Sequence, residues 1–529
     1  MPRFRSQCFR VVAPLLVLSP TLLAQQAPGD TGRLVQRVIV ERHDVYDSLE
    51  ATRWTRRIAN QLHVRTRQRV VERELLLREG DMLDSARAAE TGRNLRRLQV
   101  FRDVAVDTSA DGRTVRVITK DGWTTRPYAT FRSTGGQRLF SIGVLETNFL
   151  GLAATLDARY VQDPDRSLLR FAFRAPRVVN NQVTPSMFYN RLSDGYSYGG
   201  AIEKPFFSLS SRNAVLASFL DFRGRVLRFR DGTLSATDSL NRRFTIGAIS
   251  ASHALRASPR GYLRLGAMAQ VRRDDFVPRG VPATFARTTT GALTTFLDVS
   301  NADFLLTRNF RMMGQPEDVD LSTTFRVGVA VAPAALGYPR TGVGPVLSAR
   351  TGVRIPHGFA QVIGRANGLL SGGVLDSGTA NLSGSLVLQP GRRHLLVAFS
   401  MFGWDHNAYP GEEFDLGLSR GPRAFALHSF TGDRQRYSML EYRYTVLPDF
   451  LGSFAAGVAA FAETGGAWYQ GSRPRDGQDA GVGLRFAPIR SAGTVGATRL
   501  DLVRRFATDR LPGGWLVVLG TGFTFDGLR

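Results

Sequence analysis

The chain of 529 residues has one cysteine, Cys8, and two lysines, Lys120 and Lys204. A single cysteine excludes a disulfide scaffold, a cysteine-built zinc site and an iron–sulfur centre. No stretch approaches the roughly 18 consecutive apolar residues that a membrane-crossing helix needs. Histidine is sparse: His43, His63, His253, His357, His394, His406 and His428 stand apart, with no close pair and no His-Glu-x-x-His spacing. No Gly-x-x-x-x-Gly-Lys phosphate loop occurs. Neither a metal nor any other cofactor is expected.

Arginine is what the chain has in excess. Of 69 cationic residues all but the two lysines are Arg, against 45 acids, for a net charge of +24. That charge would suit nucleic acid, but no groove-reading motif or aromatic-interleaved basic patch accompanies it. The first residues give a different context. Arg3, Arg5 and Arg10 precede an apolar core, VVAPLLVLSPTLLA (11–24), followed by polar QQAPGDTGR. This is the layout of a secretory leader over 1–24, with cleavage after Ala24. The core is too short to anchor as a spanning helix, which needs about 20 residues. Cys8 falls inside the leader, so the mature chain is free of cysteine, as suits an oxidising compartment. Nucleic acid is therefore not an expected partner.

Residues 25–125 read as a small α+β domain. A strand is predicted over 34–40 (LVQRVIV). A helix is predicted over 66–79, with Thr66 as N-cap and Gly80 as stop. A second helix runs from the N-cap Asp84 to Gln99. Strands over 101–106 and 114–118 flank a turn at 109–112, forming a hairpin. Arg53, Arg56, Arg57, Arg65, Arg67, Arg69, Arg73 and Arg78 crowd one stretch against Glu72 and Glu74. Two readings fit them: a solvated helix face, or contact with anionic lipid head groups. No catalytic set is visible.

Residues 126–529 are predicted to be strand throughout. About twenty alternating segments can be traced, separated by Gly-, Asp-, Pro- and Asn-rich connections. In 435–446, Leu440, Tyr442, Tyr444 and Val446 share one face, while Glu441 and Arg443 share the other. In 495–503, Leu500 and Leu502 oppose Arg499 and Asp501. Many segments are about twice the usual 5–6 residues of a soluble strand. An apolar outside, a polar inside and aromatics near strand ends indicate a transmembrane antiparallel β-barrel in a bacterial outer membrane. A soluble propeller would need a repeat of about 40–50 residues, and none is found.

Specific motifs point to a family. RVVERELLLREGD (69–81) and ETGRNLRRLQVFRDVAV (90–106) resemble a POTRA (polypeptide-transport-associated) domain. LGLSRGPRAFALHSFTGDRQRYSMLEYRY (416–444) resembles the inward-folding loop of the BamA/TamA superfamily of outer-membrane assembly and secretion barrels, which carries Val-Arg-Gly-Phe or a close variant. Phe461-Ala462-Glu463-Thr464-Gly465 resembles its Phe-x-Asp-x-Gly motif at a strand end. Gly520, Phe523 and Phe525 resemble its terminal assembly signal. The chain departs from these patterns in having Ala424 for the loop glycine, Glu463 for the acid, four residues beyond Phe525, and one POTRA-like domain. The resemblance implies about sixteen strands, although the alternation allows up to twenty.

It also implies a lumen latch, with Arg423 pairing with Glu463 and Phe425 beside them. The expected activity is insertion of other outer-membrane proteins or translocation of polypeptide. The expected partners are unfolded outer-membrane clients or a secreted polypeptide, the lipid bilayer, and periplasmic accessory proteins. A passive solute pore or a structural surface barrel is the alternative. Enzyme activity is not expected. The single Gly-x-Ser-x-Gly run (417–421) sits in the long loop without the strand-turn-helix context of a nucleophile elbow. Asp405 and His406 nearby read as solvated loop side chains.

Overall fold

The computed structural model describes residues 33–46, 54–134, 137–230, 232–235, 239–278, 289–417, 420–493 and 496–521. The leader, Ser419, Phe523 and Phe525 lie outside the described residues.

The N-terminal domain is a three-stranded sheet of β1 (Arg37–His43), β2 (Phe101–Thr108) and β3 (Thr114–Asp121) in the order β1-β3-β2. β1 runs parallel to β3, and β2 antiparallel to it. Val70, Val71, Leu95, Val100, Val115 and Val117 close its core. The helices are α1 (Trp54–Leu62), α2 (Gln68–Glu72) and α3 (Ser85–Arg97). α3 begins as expected, with the Asp84 carboxylate accepting from the backbone N–H groups of Ala86 and Arg87.

The helix expected over 66–79 is cut to the five residues of α2. Thr66 does not cap it. Its hydroxyl accepts from the Asn148 amide of the barrel, and its N–H donates to Asp121. After Arg73 the chain turns to bury Leu77, and the N–H of Leu76 donates to Thr91. Tertiary contacts override the local helical preference here. α1 was not predicted.

Twenty strands form the closed barrel. They are β4 (Thr125–Thr134), β5 (Gln137–Phe149), β6 (Ala154–Gln162), β7 (Ser167–Arg174), β8 (Thr184–Leu192), β9 (Gly195–Lys204), β10 (Asn213–Val226), β11 (Leu240–Ser258), β12 (Gly261–Pro278) and β13 (Thr289–Asn301). The circle continues through β14 (Thr323–Ala332), β15 (Gly342–Ile355), β16 (Gly358–Ser371), β17 (Val374–Gly391), β18 (His394–His406), β19 (Arg434–Phe450), β20 (Phe454–Trp468), β21 (Gly477–Pro488), β22 (Thr498–Arg505) and β23 (Gly514–Thr521). β23 lies beside β4. The sixteen strands that the resemblance implied are therefore corrected to twenty, the number the alternation allowed.

Strand joints are tight where the sequence permits. Between β16 and β17, Gly372 and Gly373 both have positive φ (61° and 80°), as a two-residue hairpin turn of the primed type requires. The outer surface is apolar: Ile249, Val327, Val482 and Leu484 are 56–63% exposed. Such a continuous apolar exterior needs a lipid solvent rather than water.

The N-terminal domain sits across one mouth of the barrel. The Arg96 guanidinium of α3 forms a two-pronged ion pair with Asp318 at 2.7 and 2.8 Å. Arg93 stacks 4.1 Å from the Phe304 ring centroid. The Asn94 amide donates to the Phe207 carbonyl, and Glu90 accepts from the N–H of Leu209. Trp123 exchanges backbone hydrogen bonds with the turn after β21, donating to Arg490 and accepting from Ala492, both at 2.9 Å.

Candidate functional site in the barrel lumen

Residues 407–433 connect β18 to β19 on the side opposite the N-terminal domain. Their flanks pair as a short hairpin, Phe414–Leu416 against Phe430–Gly432. Between them residues 421–425 fold into the lumen, where Arg423 is 1% exposed.

The alternation of the neighbouring strands explains why Arg423 finds partners there. Odd-numbered residues of β19 to β22 face inward, so Glu441, Glu463, Asp479 and Asp501 converge on one wall. The Arg423 guanidinium donates to Glu463 at 2.6 Å, to Asp501 at 2.8 Å and to Glu441 at 3.1 Å. Its backbone N–H also donates to Glu463, at 2.9 Å. Its guanidinium carbon lies 3.5 Å from the Phe461 ring centroid. A planar guanidinium suits this set because it offers several donors and a stacking face at once.

The surrounding wall balances the charge. Arg443 and Arg485 both bond Glu441, and Arg485 also bonds Asp501. With Arg499 there are four arginines and four carboxylates, none more than 7% exposed. Buried charges persist only when paired in this way.

Four sequence-nominated residues meet at this point: Arg423, Phe425, Phe461 and Glu463. Phe425 is buried against Phe430, with ring centroids 5.2 Å apart. Its ring lies over Gly477, where a Cβ would stand 2.4 Å from it. Ala424 donates its N–H to Asp479 at 2.8 Å and does not adopt a positive φ, so alanine in place of glycine introduces no backbone strain. Gly465 lies opposite Tyr437, whose hydroxyl donates to Glu463. Gly520 lies opposite Arg499 and leaves room for its guanidinium.

Sequence reasoning placed Glu441, Arg443, Arg499 and Asp501 on the polar face but did not connect them with Arg423. The signal was charge at inward positions of otherwise apolar strands.

The loop has a second anchor near its end. The His428 ring bonds Asp415 at 2.6 Å and Asp165 at 2.8 Å, and it stacks on Phe229 at 3.6 Å. Burial works against the imidazolium, but the two carboxylates outweigh it and push the His428 pKa up to about 9.

A segment that the sequence reading missed enters from the other side. Residues 302–322, between β13 and β14, form a hairpin of Phe304–Arg308 and Pro316–Asp320. Its Phe310, Met313, Val319 and Leu321 join one apolar cluster with Leu416, Ala424 and Phe425 of the opposite loop. The Phe310 carbonyl accepts from Arg443 at 2.8 Å. A path therefore runs from Arg96 of α3 to Asp318, through its chain neighbour Glu317, whose carboxylate accepts from the N–H of Phe310 at 2.7 Å, and on through Arg443 and Glu441 to Arg423. Beside these insertions remains a cavity of about 520 Å³ lined in part by Arg350, Arg365 and Gln435. Among the described residues, no cluster of three or more His, Cys, Asp or Glu could hold a metal ion.

No family model and no curated protein matches the chain. Solved barrels do match. BamA from Haemophilus ducreyi lacking POTRA domains 1–3 is 12% identical, with 92% of this chain and 84% of that one covered, at a TM-score of 0.38. CdiB from Escherichia coli is 11% identical, covering 95% and 93%, at 0.46. CdiB from Acinetobacter baumannii is 12% identical, covering 92% and 73%, at 0.42. Scores this low define no more than a shared outline.

Proposed function

We propose that this chain is an outer-membrane barrel that assists insertion of other outer-membrane proteins or translocates polypeptide. Its loop 407–433 acts as a latch held by Arg423. The observation that carries this reading is the Arg423 cluster, which fixes an inward-folded loop against a wall of buried, paired charges. A passive pore gains nothing from insertions that enter its lumen from both ends.

In this reading residues 1–24 are a removed leader, and residues 25–125 are a periplasmic POTRA-type domain. Among the described residues β2 is an edge strand of its sheet, which suits capture of an extended client through backbone hydrogen bonds. Periplasmic accessory proteins would dock on the same domain.

The seam between β23 and β4 is the proposed site of strand exchange. It lies in the wall's short-stranded half: β22 has eight residues, β4 ten and β6 to β9 eight to ten, against nineteen in β11 and eighteen in β12. Fewer residues mean fewer ladder bonds and a shorter apolar belt, which strains the adjoining bilayer. The work is physical, with no covalent step.

Crosslinking tests the reading. A photoreactive residue at Val517 of β23, in the reconstituted chain, should capture an unfolded outer-membrane client during its folding. The same probe at Ile249 on the far wall should not. Equal capture at both positions, or none at either, would overturn the proposal.

A further inference from the structure

α1 inverts the usual arrangement of an amphipathic helix, whose apolar stripe faces the core. Its apolar residues Trp54, Ile58 and Leu62, spaced four apart, are 67%, 43% and 72% exposed. None joins the core of the N-terminal domain. The helix is held through its polar side. The Asn60 amide bonds both the N–H and the carbonyl of Tyr46, and Arg56 stacks on the Tyr46 ring at 5.4 Å. The following His63 bonds Asp44 at 3.0 Å. Water is a poor partner for the face left over.

Its position in the fold indicates what covers it. Leu62 and Val64 line one groove of about 160 Å³ with Phe149 and Leu150, at the end of β5. At the other end of the helix, the Arg56 guanidinium lies against Gly452 in the β19–β20 turn. There Phe450 and Leu451 are exposed as well. The helix thus lies along the barrel rim beneath the seam, and Leu62, at the end of its apolar face, meets the exposed Phe149 and Leu150 of the barrel edge. Arg57 and Arg69, exposed on the same stretch, bring positive charge to that level.

We infer that α1 is an interfacial helix that docks on the periplasmic leaflet, with its apolar face among acyl chains and its arginines at anionic head groups. A tryptophan at the end of such a face suits the membrane–water boundary. Docking would hold the N-terminal domain at the membrane and disturb lipid packing at the seam. The inference rests on the barrel lying in a bilayer, and not on which polypeptide it serves.

The cysteine-free mature chain allows a direct test. The full chain would be reconstituted into vesicles of zwitterionic and anionic phospholipid. It would carry one environment-sensitive fluorophore, at Ile58→Cys, at Asp111→Cys in the exposed β2–β3 turn, or at Ile249→Cys on the barrel belt. The label at position 58 should show blue-shifted emission, quenching by lipid-borne nitroxide and loss of quenching by iodide. The label at position 111 should behave oppositely.

Iodide quenching at position 58 equal to that at position 111, with lipid quenching intact at position 249, would overturn the inference alone. Absence of lipid quenching at position 249 would overturn the membrane placement together with it. A signal at position 58 that appears only with added unfolded client, or that depends on protein density rather than lipid, would assign the face to another polypeptide or a second copy and overturn lipid docking.

Discussion

Arg423 and Glu463 are bonded twice, by guanidinium and by backbone N–H, although one lies in a loop and the other in a barrel strand. Each contact closes part of the other's bonding capacity inside a buried cluster. Removing one partner therefore strands charge on the rest.

Replacing Arg423 by methionine should leave Glu441, Glu463 and Asp501 short of a cation, at a cost of about 3–5 kcal/mol. The loop should leave the lumen and become accessible to added protease from outside. Glu463→Gln in the same chain should recover part of the loss. Protease resistance equal to that of the wild type would refute the latch geometry.

The hairpin at 302–322 should keep ions out. Asp318→Ala removes the partner of Arg96, and Phe310→Ala removes packing worth about 3–5 kcal/mol. Both variants should raise conductance in planar bilayers. If the path from α3 to the latch carries energy, combining Asp318→Ala with Arg423→Met should give a non-additive effect, whereas strict additivity would argue that the two insertions act separately.

His428 gives the loop a pH dependence. Its pKa is raised from the ordinary 6.5 to about 9, so the protonated ring binds Asp165 and Asp415 more tightly in the folded protein. That stabilisation is complete below about pH 6.5 and is lost as pH rises through about 9. Loop protection measured by hydrogen exchange should fall over that window. His428→Gln should show the weakened state at every pH, with the step gone.

Gly477→Ala should disturb the latch without touching a charge. The added methyl would collide with the Phe425 ring, which is fully buried against Phe430 and has little room to swing aside. Overpacking of this kind costs about 1–3 kcal/mol. The variant should resemble Phe425→Ala in protease sensitivity of the loop, and pairing it with Phe425→Ala should relieve the clash.

The barrel could be read from the sequence because its alternation is strict where one face meets lipid and the other a polar lumen. Leu440 and Leu500 marked the outside, and Glu441 and Asp501 the inside. Arg423, Phe425 and Glu463 were found through motif resemblance, since no local pattern links residues forty positions apart. The hairpin at 302–322 was missed because its short strands resemble barrel strands and its burial depends on Phe359, Leu395 and Val397, which lie far along the chain. The helix over 66–79 was overextended because Val70, Val71, Leu75 and Leu76 fall on one side of a helix, whereas Glu74 is drawn out of it to pair with Arg177 at 2.7 Å.

The most direct test of the proposed function is the folding of a urea-unfolded outer-membrane barrel in liposomes. It would be timed with the reconstituted chain, without it, and with the Arg423→Met variant. The account predicts faster folding with the wild-type chain and loss of that acceleration in the variant, while the variant itself stays heat-modifiable on gels. Folding at the same rate in all three samples would contradict it.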